Sequence, residues 1–387
     1  MSSRLRVVAA LLAMTLIAAA CGDDDTDTGA SASASSSDSA SASDSASASD
    51  SASASDSASA SDSASAMADS DSASVSDSAS ASEMAADECS GSYTFDSYSG
   101  ELEVPRNPET IAVYDMGMLS SLVALGVPLG EDDGVATLGA VPDDVQAVVD
   151  GMTSLGSVFE PDLEALNALE PDLIVLASRS SRFFPDFVEL DIAPVIDLTS
   201  FDDWLPAPGE EAPVNFIDEF ERTHRHIGEI FCVQDAVDEM MNDLRDTIAT
   251  VNAAAPDFGN ALVLVTTGSE VGAFGPGAFR FGQIYDIYGF GSADDSLAED
   301  ETHGEPVSYE YLAETAPDIM FVVDRAAATG QDGEAAAAIL DNALVNSTPA
   351  AENGNIFYVD PWNWYIVFNG VDGVVGVAEE LAAAVAG

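Results

Sequence analysis

Lysine is missing from this chain altogether. All 10 basic side chains are arginine, set against 69 acidic ones, for a net charge of −59 over 387 residues. That absence excludes a Walker A phosphate loop, a Schiff-base amine and a Ser-x-x-Lys acyl-transfer site, each of which needs an amine at a fixed position. So few cations also exclude a nucleic-acid partner, because affinity for a phosphate backbone comes mostly from clustered positive charge. Cysteine is scarce: Cys21, Cys89 and Cys232 are the only three. None stands in Cys-x-x-Cys spacing, so nothing has the pattern of a structural zinc site. There is no Gly-x-Ser-x-Gly elbow and no His-Glu-x-x-His helix, which leaves an extracellular hydrolase only as an alternative built on abundant serines and acids. We expect no enzyme.

Long apolar runs are lacking as well, since none reaches the roughly 20 residues of a comfortable membrane span. The longest is N-terminal. Arg4 and Arg6 precede Val7 to Ala20, apolar or small apart from Thr15, and the run stops at Cys21 before Gly22-Asp23-Asp24-Asp25. Residues 1–20 therefore read as an export signal. Ala18-Ala19-Ala20-Cys21 resembles the lipobox of a bacterial lipoprotein, with Ala18 where Leu is more usual, so we expect a lipid on Cys21. An ordinary cleaved signal is the alternative. Residues 21–88 are almost wholly Ser, Ala and Asp, with Asp38, Asp44, Asp50, Asp56 and Asp62 recurring every sixth residue. Such sequence has almost nothing large and apolar to bury, and its like charges repel, so a disordered stalk is expected. Acid also dominates beyond the stalk, which suits a salty or extracytoplasmic setting. Cys89 and Cys232 form a disulfide or remain two small core residues; sequence gives no distance to decide.

From Thr110 onward, short β-branched runs alternate with amphipathic stretches. Ile111–Tyr114, Met118–Leu125, Leu163–Leu169, Leu173–Leu176 and Val195–Leu198 give a strand and helix rhythm that predicts a parallel sheet covered by helices. Ala261–Thr266, Gly282–Tyr288, Tyr309–Glu314, Ile319–Val323 and Ile356–Val359 repeat the scheme. The halves share a phrase: Leu163-Glu164-Ala165-Leu166 before Glu170-Pro171-Asp172-Leu173, and Tyr309-Glu310-Tyr311-Leu312 before Ala316-Pro317-Asp318-Ile319. In each, Pro-Asp breaks a helix and starts a buried strand, and internal duplication of a lobe is the simplest explanation. Between the halves, 215–230 and 234–253 read as helices. We expect an α/β fold of two Rossmann-like lobes with parallel-rich sheets, 89–230 and 256–387, joined by a bridging helix over 231–255, with the ligand cleft between them.

Leu155-Gly156-Ser157-Val158-Phe159-Glu160-Pro161-Asp162-Leu163-Glu164, Phe274-Gly275-Pro276-Gly277-Ala278-Phe279-Arg280-Phe281-Gly282, Thr302-His303-Gly304-Glu305-Pro306-Val307-Ser308-Tyr309-Glu310, Val323-Asp324-Arg325 and Val359-Asp360-Pro361-Trp362-Asn363-Trp364-Tyr365 together resemble the ferric-siderophore-binding lipoproteins of ABC importers, in their catecholate, petrobactin-type branch. The resemblance runs from about Pro105 to the C-terminus. It implies an extracytoplasmic monomer without an intrinsic cofactor, held to the membrane by its lipid, that carries a ferric siderophore to a permease dimer. The wider family also binds haem and cobalamin, and those ligands are the alternatives within it.

Arg106, Arg179, Arg182, Arg280 and Arg325 stand near strand ends or in the loops after them, where ligands collect in open α/β sheets. Taken singly, each reads first as a surface ion pair with a nearby acid. The resemblance implies that Arg179, Arg280 and Arg325 neutralise the ferric catecholate, by planar donor forks and by stacking on catechol rings. Arg106 and Arg182 have no such match. It implies also that His303 and Tyr365 complete the coordination of Fe(III) when a siderophore supplies four oxygens. Phenolate suits a hard cation, and a neutral imidazole fills the last position. Trp362 and Trp364 either wall the cleft or pack inside. Glu164 and Glu310, paired by the duplicated phrase, are implied to meet one permease subunit each; solvated helix charge is the plainer alternative.

Overall fold

The computed structural model describes residues 89–97, 100–199, 215–278, 280–297 and 303–386. The export signal, Cys21 and the stalk lie outside the described residues. An antiparallel pair comes first, β1 (Ser92–Ser97) with β2 (Gly100–Pro105). It is tied down beside a helix end: Cys89 is disulfide-bonded to Cys232 with Cα atoms 5.8 Å apart, Asn107 donates its N–H to Ile230 O at 2.7 Å, and Arg106 pairs with Glu229. The disulfide alternative therefore holds for the two cysteines, and Arg106 serves as an ion-pair residue.

The first sheet is built from β3 (Ile111–Val113), α1 (Met116–Ala124), β4 (Gly134–Thr137), α2 (Asp143–Val149), β5 (Thr153–Ser157), β6 (Glu160–Pro161), α3 (Leu163–Leu169), β7 (Leu173–Leu176), α4 (Phe184–Leu190) and β8 (Val195–Asp197). Strand order is β6-β5-β4-β3-β7-β8, all parallel except the short β6. Helices cover both faces, which is why the central β3 and β7 are apolar at every position and do not alternate with polar residues. Ile111, Val113, Leu173 and Val175 face the large central core, while Ala112, Tyr114, Ile174 and Leu176 face an outer one.

Two helices then join the halves. In α5 (Phe216–Phe231), the Asn215 side chain accepts from the N–H groups of Ile217 and Asp218, capping the open amides of the first turn. Cys232 adopts the left-handed conformation at φ 58° and turns the chain into α6 (Gln234–Ala254). Its 21 residues span about 31 Å at 1.5 Å per residue, and Asn252 near its end donates to Ile287 O at 2.8 Å in the second half.

The second half contains β9 (Asn260–Thr267), β10 (Glu270–Phe274), α7 (Gln283–Asp286), β11 (Gly291–Ser292), β12 (Glu305–Val307), α8 (Tyr309–Thr315), β13 (Ile319–Asp324), α9 (Arg325–Thr329), α10 (Ala336–Leu340), α11 (Pro349–Asn353), β14 (Ile356–Tyr358) and α12 (Val371–Ala386). Its order is β12-β10-β9-β13-β14, with β11 beside β9. Here β10 is antiparallel to both β9 and β12, because β9 and β10 are joined by a tight turn at Thr267–Glu270, too short for a parallel crossover. The duplication is thus faithful on one side only, where β9-β13-β14 matches β3-β7-β8. The helix expected over 282–288 shrinks to the single turn of α7.

The shared phrase makes the same junction twice. Both α3 and α8 end on a left-handed residue, Glu170 at φ 50° and Ala316 at φ 48°, each directly before proline. Asp172 N donates to Thr110 O at 2.8 Å, and Asp318 N to Asn260 O at 2.9 Å. The Asp172 carboxylate in turn accepts from the amides of Glu109 and Thr110, and that of Asp318 accepts from Asn260. Each aspartate so aligns its strand with the neighbouring β3 or β9. Finally α12 packs on α6 and on α1 of the first half. Val371 N donates to Ser121 Oγ at 3.1 Å and Asp372 N to Ser120 Oγ at 3.0 Å. No helix among the described residues is long and apolar enough to cross a membrane.

Candidate functional site

Three candidate residues sit just past the carboxyl ends of parallel strands. Arg179 lies in the 3-10 turn Ser178–Phe183 after β7, Arg325 opens α9 directly after β13, and Tyr365 belongs to the π-helical turn Trp362–Ile366 after β14. The local chemistry fixes each root. Ser180 Oγ accepts from Ala177 N at 3.0 Å and donates to Ala177 O at 2.9 Å. Asp324 caps α9 by accepting from Ala327 N and also holds Ala336 N. Arg280 comes from the loop after β10, where Phe281 takes φ 68°, a conformation disfavoured for a bulky residue. Burial of its ring edge-to-face on Phe274, centroids 5.0 Å apart, holds it there.

These groups converge on one ring. The Arg280 guanidinium lies 4.7 Å from the Tyr365 ring centroid, those of Arg179 and Arg325 each 5.8 Å. Arg325 Nε donates to the Tyr365 phenolic oxygen at 2.8 Å. Arg179 donates through Nη2 to Tyr365 O at 2.6 Å and through Nη1 to Ile366 O at 3.0 Å. Burial, and next the nearby Arg280 charge, push the Arg179 pKa down to about 10, with Asp115 and Tyr365 opposing; it stays cationic at neutral pH. Asp115 is itself buried, and that burial raises its pKa against the pull of Arg179. Tyr365 is only 5% exposed. The halves touch nearby, since Ala140 N donates to Ala328 O at 2.9 Å.

His303 is exposed and lines a cavity of about 260 Å³ with Thr267, Glu270, Gly304, Pro306 and Arg325. Arg325 thereby links the His303 side of this cavity to Tyr365. Gly304 is required here: it has φ 80°, and a Cβ would lie 2.8 Å from the Phe274 ring and 2.9 Å from Gly272 C. Among the described residues no group of three or more His, Cys, Asp or Glu is placed to hold a metal ion.

The tryptophans divide. Trp364 is 1% exposed and packs on Phe321 and Phe281, centroids 5.7 and 5.8 Å away, so the packing alternative describes it. Trp362 faces a different cavity, about 490 Å³, with Asp144, Asp360, Asp372 and Glu379. The aromatic that does stand by the arginines is Phe368, 4.9 Å from Arg280 and 5.4 Å from Arg179. Sequence reading passed over it, as it did Asp115; only their spacing to strand ends could have marked them. Arg182 stacks on Phe159 and Phe183, at 5.0 and 4.6 Å, away from this cluster. Glu164 and Glu310 are exposed in the first turns of α3 and α8, behind the caps Asp162 and Ser308.

Residues 111–362 match the family model described as periplasmic binding protein. The petrobactin-binding protein YclQ of Bacillus subtilis (strain 168) is 32% identical over 283 residues, 72% of this chain and 83% of the relative. Its crystal structure superposes with a TM-score of 0.66, covering 76% of this chain and 99% of the other. The ferric-anguibactin-binding protein FatB of Vibrio anguillarum (strain ATCC 68554 / 775) is 26% identical, over 69% of this chain and 79% of the relative. The periplasmic catecholate-siderophore binding protein VctP of Vibrio cholerae has a structure with a TM-score of 0.66 and 25% identity, covering 76% of this chain and all of that one. On sequence, coverage and fold alike, this chain belongs to the periplasmic binding protein family.

Proposed function

We propose that the protein captures a ferric siderophore with catecholate donors and hands it to an ABC permease for iron uptake. The observation that carries this is the convergence of Arg179, Arg280 and Arg325 on Tyr365 in a chain of net charge −59. A ferric tris-catecholate is a trianion by valence. Guanidinium meets such a ligand twice, through charge-assisted hydrogen bonds to oxygen and through its flat face on the catechol ring. The names of YclQ, FatB and VctP support the same ligand class.

His303 and Tyr365 are proposed to complete iron coordination when the siderophore leaves two positions open. With Tyr365 so little exposed, loading requires the halves 89–230 and 256–387 to part about the bridge at 231–255. Glu164 and Glu310 are the proposed permease contacts. Export by residues 1–20, lipid on Cys21 and a spacer over 21–88 would keep the monomer at the outer face of the cytoplasmic membrane. The ligand is cargo, and no catalytic step is assigned.

Quenching of intrinsic tryptophan fluorescence tests this reading. Ferric petrobactin and a ferric tris-catecholate are expected to quench and saturate, with their iron-free forms binding more weakly. Saturable binding of haem or cobalamin, with ferric catecholates ignored, would overturn it.

A further inference from the structure

Arg106, Arg222, Arg225 and Arg245 each hold a salt bridge. Arg182 holds none among the described residues, in a chain of 69 acidic side chains and with Asp186 close by on the first turn of α4. Its guanidinium lies instead 5.0 and 4.6 Å from the ring centroids of Phe159 and Phe183. It donates one hydrogen bond to the described residues, from Nη2 to Phe159 O at 3.3 Å. A guanidinium carries five N–H donors, and Arg182 is exposed, so most of its donors face solvent. Phe159 is exposed too, at 45%. The turn that presents it is held by Val158 N donating to Thr137 O and Glu160 N to Ser157 Oγ, both at 3.1 Å.

The placement points to a ligand. Phe159 follows β5 and Arg182 follows β7, with β4 and β3 between those strands, so their contact joins two loops at the carboxyl ends of the first sheet, where ligands collect. Arg179 and Arg182 are three residues apart in the 3-10 turn Ser178–Phe183. At three residues per turn they stand on one side of it, roughly 6 Å apart along its axis. We propose that Arg182 and Phe159 form an outer subsite on the first half, which takes an aromatic anion: a catecholate arm of the siderophore that extends beyond Arg179, Arg280 and Arg325. The ring of Phe159 supplies an apolar face, and the guanidinium supplies charge and open donors. A trianion approaching a chain of net charge −59 meets general repulsion, and an exposed cation without an acid partner offsets it locally. This rests on the function proposed above and deepens it.

Stopped-flow quenching of tryptophan fluorescence by a ferric tris-catecholate tests the subsite. Arg182→Gln should slow association by about threefold or more at low salt and flatten its salt dependence. Arg182→Lys keeps the charge and loses the flat face, so it should recover the association rate while dissociation stays faster than in the unsubstituted chain. Phe159→Ser should speed dissociation by about threefold or more and leave association nearly unchanged. Should Phe159→Ser not fold, Phe159→Leu keeps an apolar side chain, loses the ring and should show the same faster dissociation. Unchanged rates in every variant would overturn the proposal. So would an effect of Arg182→Gln with none at Phe159, which would mean a steering charge and no subsite. Unaltered binding with loss of iron uptake by cells would assign this surface to the permease and overturn it as well. If the unsubstituted chain ignored the ferric tris-catecholate, the function itself would fall, which is a different result.

Discussion

Arg325 Nε donates to the phenolic oxygen of Tyr365 at 2.8 Å, and the same arginine lines a cavity with His303. Any ion that reaches that oxygen does so beside a fixed cation. Tyr365→Phe and His303→Ala should therefore weaken a ferric bis-catecholate by about tenfold or more and a hexadentate tris-catecholate much less, since only the former needs protein ligands. Tyr365→Phe should also remove a phenolate charge-transfer contribution from the visible spectrum. Equal losses for both probes in a titration would show that these side chains shape the pocket without touching iron.

The Cys89–Cys232 disulfide closes a separation of 143 residues at the end of α5. Replacing both with serine should cost about 2–4 kcal/mol of stability. For a domain of this size, each kcal/mol lowers the melting temperature by roughly 2–4 °C. Siderophore affinity should be unchanged. Calorimetry beside a binding titration separates the two effects, and a melting temperature equal to that of the unsubstituted chain would sink the claim.

His224 is fully buried in α5. Its Nδ1 lies 2.7 Å from Phe220 O, an acceptor only, so Nδ1 carries the proton and Nε2 accepts from Ser121 Oγ at 2.8 Å. Burial pushes its pKa down to about 4. The folded chain then binds fewer protons here than the unfolded chain, whose imidazole titrates near ~6.5. Its contribution is whole above that pH and is lost as pH falls toward 4, by at most about 1.4 kcal/mol per pH unit. His226 shifts the same way, while the buried carboxyl of Asp115 and the half-buried ones of Asp372 and Glu380, with raised pKa values, act in the opposite sense. His224→Gln isolates one group. Urea midpoints at pH 7 and 4.5 should differ less in the variant, and an identical pH dependence would refute the assignment.

Charge reversal at both exposed acids, Glu164→Arg with Glu310→Arg, should leave ferric catecholate affinity within about twofold, because rim charges act mainly through steering and register. Uptake of iron by cells should be abolished. Transport at the unaltered rate would remove the docking role.

Salt should act in two directions. With a net charge of −59, screening relieves self-repulsion, so the melting temperature should rise between low salt and about 1 M, where the Debye length is roughly 3 Å. The same screening should weaken siderophore binding modestly. A flat or falling melting curve midpoint would mean that local pairing already cancels the acidic charge.

The sequence by itself determined what is local. Leu173–Leu176 and Ile319–Asp324 became strands where apolar runs announced them, and the Glu170-Pro171-Asp172 and Ala316-Pro317-Asp318 breaks fell where proline forbids a continuing helix. The duplicated phrase made equivalent junctions because its aspartates bond residues that the same phrase aligns. Tertiary structure alone decided the rest. Arg179 finds the carbonyls of Tyr365 and Ile366 from 186 and 187 positions away, Cys89 finds Cys232, and α12 returns to pack on α1. Trp364 entered the core while Phe368, unremarked in sequence, took its place beside the guanidiniums. A side chain's partner across such a distance depends on how two lobes close on one another, and closure is set by the summed burial of their facing surfaces, which no short stretch of sequence contains.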